Sequence, residues 1–337
     1  MNWSRCAGPA ALLLALAPAV RSQTGPAPRL PEPGTLQVRS FYSRALGARK
    51  RYLIYLPPSY AHRRGARYPV VYLLHGRSGN EAEWVAKGDL PAVADSLFGA
   101  GVPGMILVLP DGDNSFWVNW EASPGVAACA ADSLLAEAAP TFCVPASRYG
   151  DYVARDLVAQ VDSAFRTRAD RAHRGVAGLS MGGTGALTLA LSFPEVFSAV
   201  AALSSVAAPF YLGPRPYVAP ARQAHSLRDI EEEMGRPLGQ FTRMRWGADT
   251  AAWWRHDPER AARRLQAGGR AFPAIRVEVG IRDPYLDENR AFAAALRELH
   301  VVHQYIEGEG GHQWSFWRAG LAATLLWLQQ QLAPARP

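Results

Sequence analysis

The chain has 337 residues, of which 49% are hydrophobic and 19% are charged, a balance typical of a globular enzyme. Its 36 basic and 29 acidic residues give a formal charge of +7, but the arginines are scattered and form no basic stripe. The composition therefore excludes general disorder and argues against a nucleic-acid partner.

The first 22 residues predict a secretory signal peptide. A short basic start precedes the apolar core GPAALLLALA, and small residues follow where a peptidase would cut. This core is short for a membrane span, and an uncleaved anchor is the alternative. Residues 23–36 are rich in proline and glycine and predict a flexible leader. We therefore expect an exported protein, periplasmic or secreted, with no membrane span after cleavage.

Strand patterns then alternate with helical patterns along the chain. The strand segments are, in order, TLQVRSFYS, KRYLIYL, YPVVYLLHG, GMILVLPDG, RGVAGLS, FSAVAALSS and FPAIRVEVG. The helical patterns are DYVARDLVAQVDSAF, GALTLALSF and ENRAFAAALRELH. Most of the strands are continuous apolar runs, as expected for strands buried on both faces. The alternation predicts an α/β fold with a mostly parallel central sheet and helices on both faces.

Two stretches, at about 121–148 and 209–264, interrupt this alternation and are predicted to be insertions in a single domain over 37–330. The first contains Cys129 and Cys143, the two cysteines that remain after signal cleavage. An even pair in an exported chain predicts a disulfide, with two buried thiols or half of a metal site as alternatives. The second insertion is long enough to cover part of an active-site mouth, or it is a decorated surface loop.

The segment RGVAGLSMGGTGALTLAL places Ser180 between glycines at a strand-to-helix junction. A GxSxG pattern alone is a weak signal. Here an apolar strand precedes the serine and a small-residue helix follows it, which is the context of a nucleophile elbow. A serine hydroxyl is a weak nucleophile at neutral pH and needs a base that is itself oriented by a third group.

Candidates for these groups follow later strands. Asp283 comes directly after AIRVEVGIR, and His312 lies in the glycine-rich segment GEGGHQWSFW. The chain order Ser, Asp, His is typical of α/β hydrolases, so we predict Ser180 as nucleophile, His312 as general base and acid, and Asp283 as the orienting acid. Asp287 and Glu288 are competitors for the acid, but they stand where a helix N-terminus favours negative charge.

Acyl transfer also requires donors for the developing oxyanion. The backbone N–H of Met181, next after the nucleophile, is one expected donor. The second is expected from the loop LLHGRSG, through the backbone N–H of Arg77. His75, in the same loop, is expected to fix the loop and not to react.

Six ordered motifs extend this pattern over residues 37–328, namely YLIYLPPSY, YPVVYLLHGRSG, LPDGDNSFWVN, GLSMGG, GIRDPYLDENRAF and GGHQWSFWRAGL. Together they resemble the esterase family of feruloyl and acetylxylan esterases, S-formylglutathione hydrolase, enterochelin esterase and the mycolyltransferases. The resemblance implies an α/β-hydrolase fold, the triad named above and no cofactor; no metal site is predicted. It also implies a substrate pocket near Asp111, Asn114, Trp117 and Asn119. The cysteine-bearing insertion departs from the compact form usual in this family.

The sequence thus predicts an exported serine carboxylic-ester hydrolase. Expected substrates are small-molecule or polysaccharide-linked esters, with feruloyl, acetyl, other carbohydrate-linked or siderophore esters as candidates. Four tryptophans near the motifs either form a stacking wall for substrate or belong to the core: Trp117, Trp120, Trp314 and Trp317. An acyltransferase would use the same triad, and a non-catalytic binding protein on this fold is a further alternative. No motif supports a glycoside hydrolase.

Overall fold

The computed structural model describes residues 32–121, 144–235, 239, 242–243, 246–247 and 249–332. The strands are β1 Thr35–Ser43, β2 Ala48–Leu56, β3 Val70–Leu74, β4 Ile106–Pro110, β5 Arg174–Leu179, β6 Ala199–Leu203, β7 Tyr211–Gly213, β8 Arg222–Gln223, β9 Ala274–Gly280 and β10 His303–Gly308. Within the described residues, eight of these strands form a central sheet in the order β1-β2-β4-β3-β5-β6-β9-β10, and a separate hairpin pairs β7 with β8.

The helices lie between these strands and after the last of them. They are α1 Ser59–His62, α2 Glu83–Ala86, α3 Leu90–Gly99, α4 Tyr149–Asp151, α5 Val158–Ala164, α6 Met181–Ser192, α7 Leu227–Met234, α8 Thr250–His256, α9 Pro258–Ala267, α10 Leu286–Glu298 and α11 Trp314–Leu332. A π-helical segment, Tyr152–Leu157, joins α4 to α5, and a 3-10 turn, Arg171–His173, precedes β5.

The sheet is mostly parallel. Only β1 with β2 and β2 with β4 pair antiparallel, whereas the pairs from β4 through β3, β5, β6 and β9 to β10 are parallel. Every residue of β3, β4, β5 and β6 is buried, which explains why these segments are continuous apolar runs. The predicted α/β class is therefore confirmed.

Separate hydrophobic cores cover the two faces of the sheet. Residues of α6, α9 and α10 belong to the core on one face. Residues of α3 and α11 belong to the core on the other face. Nearly all residues of α6 are buried, so this helix is built from small and apolar residues all round instead of an apolar stripe.

The stretch predicted as the second insertion has secondary structure of its own. It contains the β7–β8 hairpin and the helices α7 and α8, and it contributes Phe210, Trp246 and Trp253 to the core above α6. The hairpin also contacts the start of α10, where the Tyr217 backbone N–H donates to Asp287 Oδ1 at 2.8 Å. This stretch therefore contributes to the hydrophobic core and contacts α10.

Several sequence-based predictions concern residues that the structure does not describe. The signal peptide at 1–22, the leader up to 31, and Cys129 and Cys143 with their predicted disulfide lie outside the described residues. Among the helices that the structure describes, none has both the length and the apolar composition needed to cross a membrane.

Candidate active site

Ser180 stands at the junction of β5 and α6 in a backbone conformation that L-residues rarely adopt. Its φ is 54° and its ψ is −122°. Strained backbone of this kind persists only where the surroundings hold it, and it is concentrated at functional sites. One such restraint is the Ser180 N–H, which donates to the Leu203 carbonyl at the end of β6, at 2.8 Å.

The turn also depends on a glycine directly behind it. A Cβ added to Gly182 would lie 2.4 Å from the Leu74 carbonyl oxygen and 2.5 Å from that of His75. Both obstacles are backbone atoms and cannot rotate away. The close approach of α6 to the end of β3 therefore requires glycine at this position.

We expect Gly182→Ala to destabilise the fold by about 1–3 kcal/mol, because the added methyl overpacks against fixed backbone. Urea unfolding measures this loss. Gly65→Ala is the matched control: beyond the glycine and its two chain neighbours, no atom of the described residues lies within 4 Å of the added Cβ, and the φ of Gly65 is not in the left-handed region. A Gly182→Ala protein as stable as the Gly65→Ala protein would contradict the predicted contact.

The structure brings together the three residues predicted as a triad. Ser180 Oγ lies 2.8 Å from His312 Nε2, and His312 Nδ1 lies 3.0 Å from Asp283 Oδ2 and 3.2 Å from Oδ1. The side chain of Asp283 is fully buried and that of His312 is 24% exposed. Parallel pairing explains the convergence, since these residues follow β5, β9 and β10 at the carboxyl edge of one sheet.

Asp283 is the carboxylate that reaches His312, and its two competitors face elsewhere. Asp287 accepts the hydrogen bond from the hairpin described above, and Glu288 forms an ion pair with Arg215 at 2.8 Å. Asp283 Oδ1 in turn accepts the backbone N–H of Tyr285 at 2.9 Å. The acid is thus held by its own turn as well as by the histidine.

Aromatic rings enclose the histidine. The rings of Tyr285 and Trp317 each pack edge-on against His312, with centroids 5.0 Å away. The ring centroids of Trp317 and Trp314 are 5.4 Å apart, and those of Trp314 and Trp84 are 5.5 Å apart. Tyr285 and Trp314 are half-buried, so this row of rings presents partly exposed aromatic surface beside His312.

Charge also acts on Tyr285. Burial raises the pKa of its hydroxyl, Glu288 and Asp283 raise it further, and the Arg77 guanidinium acts in the opposite direction. Arg77 is exposed and belongs to the loop after β3. The positive charge of Arg77 is therefore close enough to act on the Tyr285 hydroxyl.

The loop after β3 approaches the nucleophile closely. A Cβ added to Gly76 would lie 3.5 Å from the Cβ of Ser180, so the chain entering Arg77 passes beside the serine. The indole N–H of Trp84 donates to the Leu74 carbonyl at 3.1 Å, and that of Trp117 donates to the His75 carbonyl at 3.3 Å. The carbonyl groups of this loop are therefore fixed from two sides.

His75 has a structural role in that loop. Its Nδ1 lies 2.8 Å from the Gly76 carbonyl and its Nε2 lies 3.0 Å from the Gly112 backbone N–H. Only a tautomer with the proton on Nδ1 satisfies both contacts, because the carbonyl accepts and the N–H donates. His75 thus links the end of β3 to the turn after β4.

Of the residues expected near the pocket, some support neighbouring loops through hydrogen bonds and others are buried in the core. Asn114 Oδ1 accepts the Ser78 N–H at 2.7 Å and so supports the loop after β3. Asn119 exchanges hydrogen bonds with Asp151, and the Trp117 side chain has no exposed surface. Trp120 is also buried in the core, which leaves Trp314 as the partly exposed ring of the four tryptophans.

Sequence reasoning missed three side chains that the structure places around the site. They are Tyr285, Asn289, which is fully buried, and Lys50, which forms ion pairs with Asp111 and Asp113. A signal was available for Lys50, because it is one of only two lysines in the chain and precedes the apolar end of β2. Within the described part of the chain, no group of three or more His, Cys, Asp or Glu side chains is arranged to hold a metal ion.

The eight-stranded, mostly parallel sheet with a serine turn at the carboxyl end of a central strand defines the chain as an α/β hydrolase. Residues 43–328 match the Esterase family, described as "Putative esterase". The chain therefore belongs to that family and is a serine carboxylic-ester hydrolase.

Relatives with assigned names support this membership. The chain is 23% identical to an acetyl esterase of Caldicellulosiruptor saccharolyticus over 86% of its own length and 97% of the relative's. It is 27% identical to an S-formylglutathione hydrolase of Paracoccus denitrificans, over 86% and 91% of the two chains. Among solved structures, a ferulic acid esterase superposes with a TM-score of 0.64 at 23% identity, covering 89% of this chain and 99% of the other.

Proposed function

We propose that this protein is an exported esterase in which Ser180, His312 and Asp283 form the catalytic triad. The observation that carries the proposal is the continuous hydrogen-bonded chain from the buried Asp283 through His312 to Ser180 Oγ. Family membership supports the reaction class, and the geometry supports the choice of residues.

In the proposed reaction, His312 Nε2 takes the proton of Ser180 as Oγ bonds to the ester carbonyl carbon. Asp283 keeps the other ring nitrogen protonated and stabilises the imidazolium that forms. His312 then gives its proton to the leaving alcohol as the ester bond breaks. Water, deprotonated by the same histidine, attacks the acyl-enzyme and releases the carboxylic acid and free Ser180.

The oxyanion of each tetrahedral intermediate is assigned to the backbone N–H groups of Met181 and Arg77. Met181 begins α6, where N–H groups lack intrahelical partners, and the loop that carries Arg77 passes beside the serine. Loss of one oxyanion donor typically raises the barrier by about 3 kcal/mol.

The proposed substrates are feruloyl, acetyl or other carbohydrate-linked esters, or siderophore esters. The half-buried rings of Tyr285 and Trp314 beside His312 suit a planar aromatic acyl group or the apolar face of a sugar. The predicted signal peptide supports an extracellular or periplasmic substrate.

The first test combines labelling with a substrate panel. We expect the mature protein to hydrolyse p-nitrophenyl acetate, butyrate or octanoate, or methyl ferulate, and a fluorophosphonate to abolish that activity. Labelling forms an Oγ–P bond at Ser180, expels fluoride and leaves the serine proton on His312. Intact mass and peptide mapping count and locate the adduct.

The outcome separates hydrolysis from its alternatives. One adduct on Ser180 with complete inhibition supports the proposal, and the best ester identifies the acyl pocket. Adding a sugar or glycerol as acceptor distinguishes an acyltransferase, in which the acyl group moves to the added hydroxyl and not to water. No hydrolysis and no adduct would favour a non-catalytic binding protein.

A further inference from the structure

A buried asparagine outside the triad connects the acid turn to the end of β6. Asn289, in the first turns of α10, has no exposed surface. Its Nδ2 donates to the carbonyls of Ser205, at 2.6 Å, and Tyr285, at 2.7 Å. Its Oδ1 accepts the Ser205 hydroxyl at 2.8 Å. These three hydrogen bonds use most of the hydrogen-bonding capacity of the Asn289 amide. Without them, burial of that amide would be costly in free energy.

At α10, the Asn289 amide holds the backbone of Tyr285, which contacts both Asp283 and His312. The carbonyl of Tyr285 accepts both the backbone N–H and the side-chain amide of Asn289. The N–H of Tyr285 donates to Asp283, and its ring packs against His312. Movement of the Tyr285 backbone would therefore displace both the acid and the base.

On the side of β6, the contact reaches the nucleophile. Ser205 lies two residues after Leu203, whose carbonyl accepts the Ser180 N–H. A Cβ added at Gly183, in the first turn of α6, would come within 2.8 Å of the Ser205 Cβ, so helix and loop are in close contact. The hydroxyl of Thr184 further joins this turn to the segment after β6, through the carbonyl of Val206 at 3.1 Å.

We propose that Asn289 is a positioning residue that holds the Asp283 turn in register with Ser180 through the end of β6. The inference rests on the proposed esterase function, since the register matters when His312 must receive the serine proton. Reacting groups misplaced by about 1 Å lose about 100-fold in rate. The amide links the two loops directly, and the backbone hydrogen bond from the Ser204 N–H to the Glu278 carbonyl of β9, at 2.7 Å, lies beside it.

Two substitutions separate the hydrogen bonds from the volume they occupy. Asn289→Leu removes all three hydrogen bonds at similar size, whereas Asn289→Asp keeps an acceptor for Ser205 but turns another oxygen toward two carbonyls. We expect kcat for p-nitrophenyl acetate to fall about 10- to 100-fold in both, with KM changed by less than about twofold. The rate of fluorophosphonate labelling should fall by the same factor as kcat.

Thr167→Val is the matched control, because it also removes a side-chain hydrogen bond, the partly buried one from Thr167 Oγ1 to Asp162 Oδ1 at 2.8 Å. Thr167 bridges to Tyr68 before β3, at the opposite end of the sheet from Ser180. We expect it to lose stability while keeping the wild-type kcat. Should Asn289→Leu fail to fold, Ser205→Ala removes a single hydrogen bond and should lower kcat about 3- to 10-fold.

The results distinguish this role from the function itself. A kcat in the Asn289 and Ser205 variants equal to that of Thr167→Val, at the same folded fraction, overturns the positioning role and leaves the esterase intact. Hydrolysis that persists at the wild-type rate in Ser180→Ala would contradict the proposed function. The positioning role of Asn289 would then be contradicted as well.

Discussion

Replacing Ser180 by alanine is expected to lower kcat for p-nitrophenyl acetate by about a millionfold, because the acyl-enzyme can no longer form. The methyl group keeps the Cβ and therefore the strained backbone, so the fold should be unchanged. Steady-state kinetics over enzyme concentrations high enough to detect residual turnover measure the loss, and circular dichroism verifies the fold.

Two further variants make this result specific. Asp283→Asn should lower kcat by about 10⁴-fold, because the amide favours the wrong tautomer of His312. Ser163→Ala, which alters an exposed hydroxyl bonded only locally to the Gln160 carbonyl, should retain full activity. Hydrolysis by Ser180→Ala at more than a few per cent of the wild-type rate would rule out Ser180 as the nucleophile.

The parallel half of the sheet could be predicted because burial on both faces forces an apolar sequence. β3, β4, β5, β6 and β9 all coincide with predicted apolar runs. For the edge strand β10, His303–Gly308, the sequence indicates only a strand start between His300 and His303, since HQYIEG alternates weakly and several of its side chains are half-exposed. The β7–β8 hairpin was also missed, because three prolines lie between strands of two or three residues.

The three residues proposed as a triad could be singled out because each follows a strand within about four residues, where chain order restricts the choice. Asn289 could not, because its partners are the side chain and carbonyl of a residue 84 positions away and a carbonyl four positions before it. Trp117 shows a second limit: an aromatic residue in a loop motif fits either a pocket or the core, and here its buried indole donates to the His75 carbonyl. Contacts with main-chain carbonyls leave little trace in a single sequence.

A buried group of charges lies behind the loop after β3. Lys50 is 4% exposed, and its Nζ lies 2.8 Å from both Asp111 Oδ2 and Asp113 Oδ2. Tyr149 donates its hydroxyl to the same oxygen of Asp113. Burial by itself lowers the pKa of Lys50, but Asp113 and Asp111 outweigh it and raise the pKa above its ordinary value. One lysine thus serves two carboxylates.

The pKa values of the two carboxylates that share Lys50 are shifted in opposite directions. Burial raises the pKa of Asp113 to about 6, against the pull of Lys50 and with the repulsion of Asp111. Burial also acts to raise the pKa of Asp111, but the charge of Lys50, whose ammonium donates to Asp111 Oδ2 at 2.8 Å, holds it below its ordinary value. Asp111 is therefore the more firmly ionised partner of Lys50.

We expect Lys50→Met to lower the free energy of unfolding by about 3–5 kcal/mol, because it leaves buried carboxylates without their cation. The pKa of Asp113 in the folded state exceeds the unfolded value of about 3.9, so its favourable contribution is complete below about pH 4 and is lost as the pH rises through 6. Removing Lys50 raises that pKa further. The loss of stability should therefore be larger at about pH 8 than at about pH 5, as urea unfolding at both values would show.

Lys87→Met is the matched control, since Lys87 is the other lysine of the chain and pairs with Glu83 one helical turn away while 54% exposed. That substitution should change stability by less than about 0.5 kcal/mol. Adding Asp113→Asn to Lys50→Met should restore much of the lost stability and remove most of its pH dependence, because the cluster then keeps one carboxylate fewer. Equal losses for the two lysines, or no recovery in the double variant, would mean that the Lys50 charge is not what stabilises this cluster. In that case the packing of the lysine's methylene chain in β2 would explain its burial instead.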